Sequence, residues 1–458
     1  MSRIAAHQTS RGDPVRLFCM LALIVSALPC AARAQDAPVG GPADSVARTA
    51  ARALLGDEVP DDQIVPVIPA VIGGEPEGLF AEPRLIVRGI DFATRTLGEG
   101  DQRNNGFYPE FSNMSTGSGW VSIGPGYRHW FRGDTAIADA SAAVSWRAYK
   151  MVQGRFEWTQ LAHSRVAVGA QAMWQDQTQV TYFGEGSTSP ASARSEYRIR
   201  TTDVVGYATA HPERWLAVTA RLGWLARPTL SSPAGTFQRG NPNALDVFAN
   251  DVAVALPDQP KYAHGELSLV ADTRDSRSHP MNGGLYRASA AAFADRSSGA
   301  LSFRRYEGEA AQFVSLAADT LTLVGHAWFV GTESDPSQTV PFYMLPSLGG
   351  HNTLRSFDDF RFHDRNLLVV NGEVRLGVLT HVDLAAFVDA GNVASRVRNL
   401  DLGKQSVGIG LQMHTQHATF ARVDLAHGSD GWRLLFRTSD PFHLSRLSRR
   451  VAPVPFVP

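Results

Sequence analysis

From about Arg84 onward the chain alternates apolar and polar residues one by one in runs of about ten, and the links between runs are short and long in turn. A period of two sends successive side chains to opposite faces of a strand, so each run has one greasy and one polar face. Between Thr135 and Arg147, Ala136, Ala138, Ala140, Ala142, Val144 and Trp146 share one face, while Asp139, Ser141, Ser145 and Arg147 share the other. Between Trp215 and Leu225 the apolar set is Leu216, Val218, Ala220, Leu222 and Trp224, opposed by Thr219, Arg221 and Gly223. A small, polar, glycine-containing face opposite an apolar one suits water on one side and lipid on the other.

The same alternation predicts strands over Arg84–Phe92, Trp120–Phe131, Arg155–Leu161, Arg165–Phe183, Arg198–Ala210, Tyr262–Arg274, Leu285–Asp295, Arg305–Leu316 and Leu321–Gly331. It continues over Leu367–Leu379, Asp383–Val393, Ser406–Met413, Thr419–His427 and Trp432–Phe442. With the two above the total is about sixteen, inside the range of closed single-chain barrels of even strand number. The first mixes its faces, because Ile86, Arg88 and Ile90 fall on one side. Short links fall near Gly133-Asp134, His163-Ser164, Pro212-Glu213, Ala318-Asp319, Thr380-His381 and Gln416-His417, and long ones span Thr94–Gly119, Ser231–Pro260 and Thr332–Phe362. Tight turns on one rim and long loops on the other are the habit of membrane barrels, and the parity puts the Thr332–Phe362 loop outside with five strands after it.

Composition agrees. Mean hydropathy is −0.14 with 44% hydrophobic residues, which leaves no apolar run of helical membrane length after the amino-terminal region but is compatible with lipid-facing residues at every second position. A net charge of −1 and a pI near 6.9 give no basic field for nucleic acid. Trp130, Trp146, Trp158, Trp224 and Phe442 are expected at the ends of outward faces, as in an interfacial aromatic girdle, which a soluble sandwich or propeller has no need of.

Residues 1–34 have a basic start (Arg3, Arg11, Arg16), an apolar stretch from Leu17 to Pro29 and a small-x-small end at Ala32-Arg33-Ala34, the pattern of a secretory signal peptide. Both cysteines, Cys19 and Cys30, fall inside it, so the mature chain is expected to have no thiol. Residues 35–83 are rich in Ala, Pro, Gly and Asp and read as a flexible periplasmic segment or short plug; residues 84–442 are the expected barrel, and residues 443–458 a basic, proline-containing tail. For the tail two expectations stand side by side, a disordered periplasmic extension or a terminal signal supplied by Phe456.

The long loop carries Arg355 behind Gly349 and Gly350 and two residues before Phe357. On the next strand Leu368, Val370, Val374, Leu376 and Val378 face lipid, so Asn371, Glu373 and Arg375 point inward. On the strand after it Leu384, Ala386, Val388 and Ala390 face out, which turns Phe387 and Asp389 in. Two carboxylates on one wall repel unless a cation lies between them, and a guanidinium fork bonds both. Folding the loop inward would bring Arg355 to Glu373 and Asp389; in a wet lumen, which we expect, removing Arg355 would cost less than the ~3–5 kcal/mol of a dry pair.

At these residues the chain resembles the bacterial surface-antigen, or BamA/TamA-like, outer-membrane barrel superfamily. Gly349-Gly350 with Leu354-Arg355-Ser356-Phe357 is similar to its loop signature, Phe387-Val388-Asp389-Ala390-Gly391 to its strand motif, and Glu373 to its acid on the preceding strand. Asp272-Thr273-Arg274-Asp275, followed by Pro280 and Gly283-Gly284, is similar to its mid-barrel strand and turn. The resemblance covers most of residues 119–442. It implies a sixteen-stranded transmembrane antiparallel barrel whose sixth outer loop enters the lumen, Arg355 bonded to Asp389 and Glu373, and a role in inserting outer-membrane proteins or translocating polypeptides. Ser356 stands where the signature has glycine, and residues 35–83 are too short and too rich in Pro and Ala for the polypeptide-transport-associated domains of client-handling relatives.

No enzyme chemistry is legible. The sequence has neither an H-E-x-x-H nor a G-x-S-x-G motif; His163, His264, His326, His351, His414, His417 and His427 are scattered, and His414 and His417 read as solvated rim residues. Gly124-Pro125-Gly126 and Gly184-Glu-Gly186 precede no helix and read as bends. No metal and no cofactor is expected. The partners implied are outer-membrane lipid, client outer-membrane or secreted polypeptides, and a separate periplasmic factor. The alternative is a structural barrel or a pore or lipid conduit without assembly activity.

Overall fold

The computed structural model describes residues 105–112, 122–131, 134–235, 240–256, 258–277, 279–316, 320–415, 419–437, 440–442 and 456. The expected signal peptide, the segment 35–83, the strand Arg84–Phe92 and most of the tail lie outside these residues.

The first half of the sheet comprises β1 (Gly106–Ser112), β2 (Ser122–Phe131), β3 (Ala136–Ser145), β4 (Lys150–Leu161), β5 (Val166–Tyr182), β6 (Ser195–Glu213), β7 (Leu216–Leu225) and the three-residue β8 (Thr229–Ser231). The second half comprises β9 (Tyr262–Asp272), β10 (Gly283–Asp295), β11 (Phe303–Leu316) and β12 (Leu321–Glu333). Then, beyond a small hairpin of β13 (Ser347–Leu348) and β14 (Phe362–His363), come β15 (Asn366–Leu379), β16 (Val382–Ala394), β17 (Lys404–His414), β18 (Thr419–Gly428) and β19 (Gly431–Arg437). Seventeen of these share one sheet. Because β8 only extends the outer end of β6, through Arg198↔Ser231 and its neighbours, sixteen strands build the wall, each antiparallel to the next in sequence. Among the described residues no ladder joins β1 to β19.

The alternation has the expected physical meaning. In β6, Thr201, Asp203, Val205, Tyr207 and Thr209 are buried inside while Arg200, Thr202, Val204, Gly206 and Ala208 are exposed outside. Trp146 (69% exposed), Trp158 and Trp224 lie on the outer surface as the girdle expectation required. No helix among the described residues is long and apolar enough to cross a membrane, a statement that does not bear on strands.

Three expectations need correction. The first described strand, β1, lies in the stretch read as the link Thr94–Gly119; its Pro109 interrupts the alternation and faces Pro125 of β2, so neither residue has an N–H for the ladder. Trp130 is half-buried, not at an exposed strand end. Phe442 is neither in a strand nor outward: β19 ends at Arg437, and the Phe442 ring is only 3% exposed, 6.5 Å from Phe313 and 5.4 Å from His326 on the inner wall.

The interior is filled in two layers. Toward the long-loop rim, Tyr182, Tyr197, Phe342 and Tyr343 anchor an aromatic cluster with ring centroids about 5 Å apart, as edge-to-face packing favours. Part of it comes from the link between β8 and β9, where the single turn α1 (Ala244–Val247) is capped by Asn243, whose side-chain oxygen accepts from the Leu245 N–H at 3.2 Å. Below this layer the loop between β12 and β15 enters the lumen. Counting from the link between β1 and β2, it is the sixth connection on that rim.

Candidate functional site

The register of three ladders, joining β15 to β18, decides which side chains meet under the loop. Asn371 pairs with Asp389 and Asp389 with Ser406; Glu373 pairs with Phe387 and Phe387 with Gly408; Gly410 pairs with Asp424 and Gln412 with Arg422. All face inward, so β15 to β18 present one continuous polar patch.

The loop tip is delivered to that patch by a tight double glycine. Gly349 and Gly350 have φ of +116° and +95°, and a Cβ on either would stand within about 2.2 Å of the Asp358 carbonyl or the Asp359 carboxylate, so only glycine fits both conformation and space. Ser356 keeps a negative φ, as its substitution for glycine suggested, and its side chain occupies room left by Gly428. Leu354 and Phe357 are fully buried with Leu348, Phe362 and Trp328 and fix the tip on its apolar side. Gly391 permits this approach, since a Cβ there would meet the Leu368 carbonyl at 2.5 Å and Leu348 at 3.5 Å.

Arg355 then reaches both acids. Its Nη2 donates to Asp389 Oδ1 at 2.7 Å, its Nε to Asp389 Oδ2 at 3.0 Å, its Nη1 to Glu373 Oε2 at 2.8 Å, and its backbone N–H to Asp389 Oδ2 at 3.1 Å. The guanidinium carbon lies 3.3 Å from the centroid of the Phe387 ring. Burial works against the Arg355 charge, but Asp389 and Glu373 more than offset it and hold the group protonated above its ordinary range.

The patch is richer than one cation and two anions. Glu373 also accepts from Arg375 Nε at 2.8 Å and from both terminal nitrogens of Arg422 at 2.7 and 2.9 Å. Arg422 Nε donates to Asp424 at 2.8 Å, Arg375 pairs with Asp440 at 2.7 Å, and Arg437 stands 3.8 Å from Asp424. Four arginines therefore face four acids, all of them buried. These eight side chains are buried by the loop and by one another, where a solvated patch was expected, and the higher cost of a broken buried pair applies. Sequence reasoning missed Arg422, Asp424, Arg437 and Asp440. Arg422 and Asp424 carried a signal, since both alternate with the outward-facing Val423 and Leu425.

The loop is also tied sideways. Arg433 of β19 pairs with Asp359 at 3.2 Å and donates to the Phe357 carbonyl; Arg437 donates to the His351 carbonyl; Arg361 pairs with Asp430 at 2.8 Å. Burial would raise the Asp359 pKa, but Arg433 and His351 beside it hold it down at about 2.

The mid-barrel residues take another place. Arg274 donates from Nε and Nη2 to the two oxygens of Asp272 at 2.9 Å each, and Asp275 accepts from the N–H groups of Ser276, Met281 and Asn282, which closes the turn between β9 and β10. That turn touches the charged patch through His279, whose Nδ1 accepts from Gln412 Nε2 at 3.1 Å while Gln412 Oε1 accepts from Arg422 at 2.9 Å.

His279, Asp383 and His414 also bring donor atoms within 4.8 Å of one another, and the two imidazoles stack with centroids 3.7 Å apart. His414 is thus buried rather than solvated; His417 lies outside the described residues. As a metal site the trio is poorly arranged. Because Arg422 fixes the Gln412 amide, the His279 proton must sit on Nε2, the nitrogen turned toward Asp383 at 3.7 Å and the one a metal would need.

A family model described as the Omp85 superfamily domain matches residues 150–427. Among solved structures the chain is similar to BamA from Haemophilus ducreyi lacking POTRA domains 1–3, with 14% identity over 73% of this chain and 69% of that one and a TM-score of 0.55, which shows a shared fold. CdiB from Acinetobacter baumannii is 14% identical over 72% of this chain and 58% of that one, TM-score 0.42; CdiB from Escherichia coli is 12% identical over 76% and 60%, TM-score 0.43. A search of the curated proteins found none that matches.

Proposed function

Because this chain belongs to the Omp85 superfamily, we propose that it resides in the bacterial outer membrane and there inserts barrel proteins or moves polypeptides across, using the seam between β1 and β19 as the route from lumen to lipid. The observation that supports this most is the unequal seam. On one side β19 is held to the inserted loop through Arg433 and Arg437. On the other, β1 has seven residues, a Pro109–Pro125 rung and ladder bonds only to β2 among the described residues. A weak edge against a pinned edge is the arrangement in which one strand can peel while the barrel keeps its shape.

In this reading Arg355, Glu373 and Asp389 hold the loop in place and perform no catalysis, and a client polypeptide and a separate periplasmic factor are the partners. Cysteines introduced in pairs along Gly106–Ser112 and Gly431–Arg437 test it. Oxidation should stop the assembly of other outer-membrane proteins in cells that depend on this barrel, and reduction should restore it. Full assembly with the seam crosslinked rejects the route. The alternative of a plain pore draws no support from a lumen filled by the loop and the aromatic layer.

A further inference from the structure

Phe456 lies inside the barrel, far along the wall from the end of β19. Its ring stacks on Trp328 of β12, centroids 6.0 Å apart and planes at 17°, and the guanidinium of Arg305 on β11 stands 4.3 Å from its centroid. Its N–H donates to the Tyr343 carbonyl at 2.8 Å and its carbonyl accepts from Ser347 Oγ at 3.1 Å. An aromatic side chain and both main-chain groups of one residue are therefore recognised together, and the residue is 3% exposed.

Arg305 explains why the slot wants an aromatic ring. The side chain is buried, donates to Thr332 Oγ1 and the Met344 carbonyl, and among the described residues has no carboxylate within ion-pair distance. A buried cation with no acid among the described residues to pair with is stabilised by π faces, and the ring of Phe456 is nearer than those of Phe303 at 5.3 Å and Phe293 at 5.8 Å. An aliphatic side chain would fill the volume and remove the nearest of the three rings. The flanking sequence Pro453-Val-Pro455-Phe456-Val-Pro458 lacks N–H donors at three of six positions, which suits a segment read at one residue rather than one adding a strand to a sheet.

The slot also touches the loop. Tyr343 and Ser347 belong to its descending arm, and Phe456 shares an apolar cluster with Leu354 and Phe357 of the tip. Whatever fills the slot supports the seat of Arg355.

We infer that the lumen contains a binding slot for an aromatic residue of an extended polypeptide, occupied in cis by this chain's own carboxy-terminal segment through Phe456. The cis contact stands by itself; that a client segment displaces it in trans rests on the proposed polypeptide-handling function.

The test uses the mature protein in planar bilayers, compared with Phe456→Ala, Phe456→Trp and a chain stopped after His443, each checked for barrel folding by its gel mobility before and after boiling. The probes are a peptide of residues 449–458 and the same peptide with Phe456→Ala. The expected result is that the stopped chain and Phe456→Ala conduct more than the full chain, Phe456→Trp behaves as the full chain, and the probe blocks the stopped chain at a concentration about tenfold lower than its alanine counterpart. Equal block by the two peptides, or a stopped chain that conducts like the full chain and ignores both, overturns the slot. Selective block in a barrel whose depletion leaves other outer-membrane proteins unaffected would keep the slot and reject the assembly function.

Discussion

Strands β15 to β19 and strands β1 to β4 follow one alternation rule and are held by different forces. In the first group, three guanidinium groups converge on Glu373 and the loop crosses the interior to join them. In the second, the inner face carries the Arg128–Asp139 pair at 2.7 Å, with the Tyr108 hydroxyl donating to Asp139 at 3.0 Å, and a few amide contacts such as Gln153 to Ser141. Tyr108 gets there only because Gly126 has no side chain in its way, and the neighbouring Phe107 is 85% exposed. One wall is locked by shared charge; the other relies on its backbone ladder, which prolines interrupt. A difference of this kind within one sheet lets a barrel be stable as a whole and weak at a chosen edge.

The contrast breaks hardest at Glu373. Glu373→Gln leaves three arginines sharing a neutral amide, so the loss should reach the top of the ~3–5 kcal/mol expected when a buried ion pair is broken. It would appear as a barrel that migrates unfolded on gels without heating, and native migration with an unchanged urea midpoint in liposomes would refute the hub role. Arg355→Met should cost ~3 kcal/mol or more and expose the loop to external protease, because Asp389 then loses its cation while Glu373 keeps two. Adding Asp389→Asn should recover ~1–3 kcal/mol of that, and strict additivity in the cycle would deny their coupling.

Acid should act next. Burial holds His363 at a pKa of about 3, and burial with the charge of His414 holds His279 at about 3 against the opposing pull of Asp383. Both values are depressed, so between the ordinary histidine pKa of about 6.5 and 3 the unfolded chain binds protons that the folded chain does not, and stability falls as pH falls through that window. At about pH 5.5 each contributes a loss of at most ~1.4 kcal/mol, readable as loop protease sensitivity, and a flat profile from pH 7 to 5 would remove the effect.

Smaller changes sharpen the seam itself. Arg433→Gln should cost ~1 kcal/mol and loosen β19 from the loop without unfolding the barrel, seen as faster amide exchange in Gly431–Arg437 alone. Pro109→Val, which returns an N–H to β1, should strengthen the weak edge by up to ~1 kcal/mol and slow any activity that needs it to open. Unchanged exchange at β1 would show that proline does not set its weakness.

The architecture was legible because lipid outside and a polar interior force a period of two on each strand, and most strand ends fell within a few residues of where that period placed them. The exceptions are local. In β1 the residues Gly106 and Pro109 hide the alternation, and around Phe442 an aromatic residue after an alternating run imitates a strand end while folding inward. Glu373 and Asp389 could be proposed because they lie on two consecutive strands whose faces were assigned, and Arg355 because it is a cation of the loop that precedes them, behind Gly349 and Gly350. Arg422 and Asp424 are brought in by the register of β17 and β18, and a ladder register is set by pairing across the sheet, which a linear pattern does not state; Asp440 follows the end of β19 and had no alternation to mark it. The seat of Phe456 was in neither reading of the tail, as a disordered extension or as a terminal signal, since nothing in its neighbourhood names Trp328 or Arg305.

The balance of four cations against four anions under the loop has an electrical consequence. With the tip seated, this stretch of wall is neutral; withdrawing Arg355 leaves three positive groups facing four negative ones. A passage opened by that withdrawal would prefer potassium to chloride, and reversal potential in a salt gradient thereby becomes a gauge of where the tip resides.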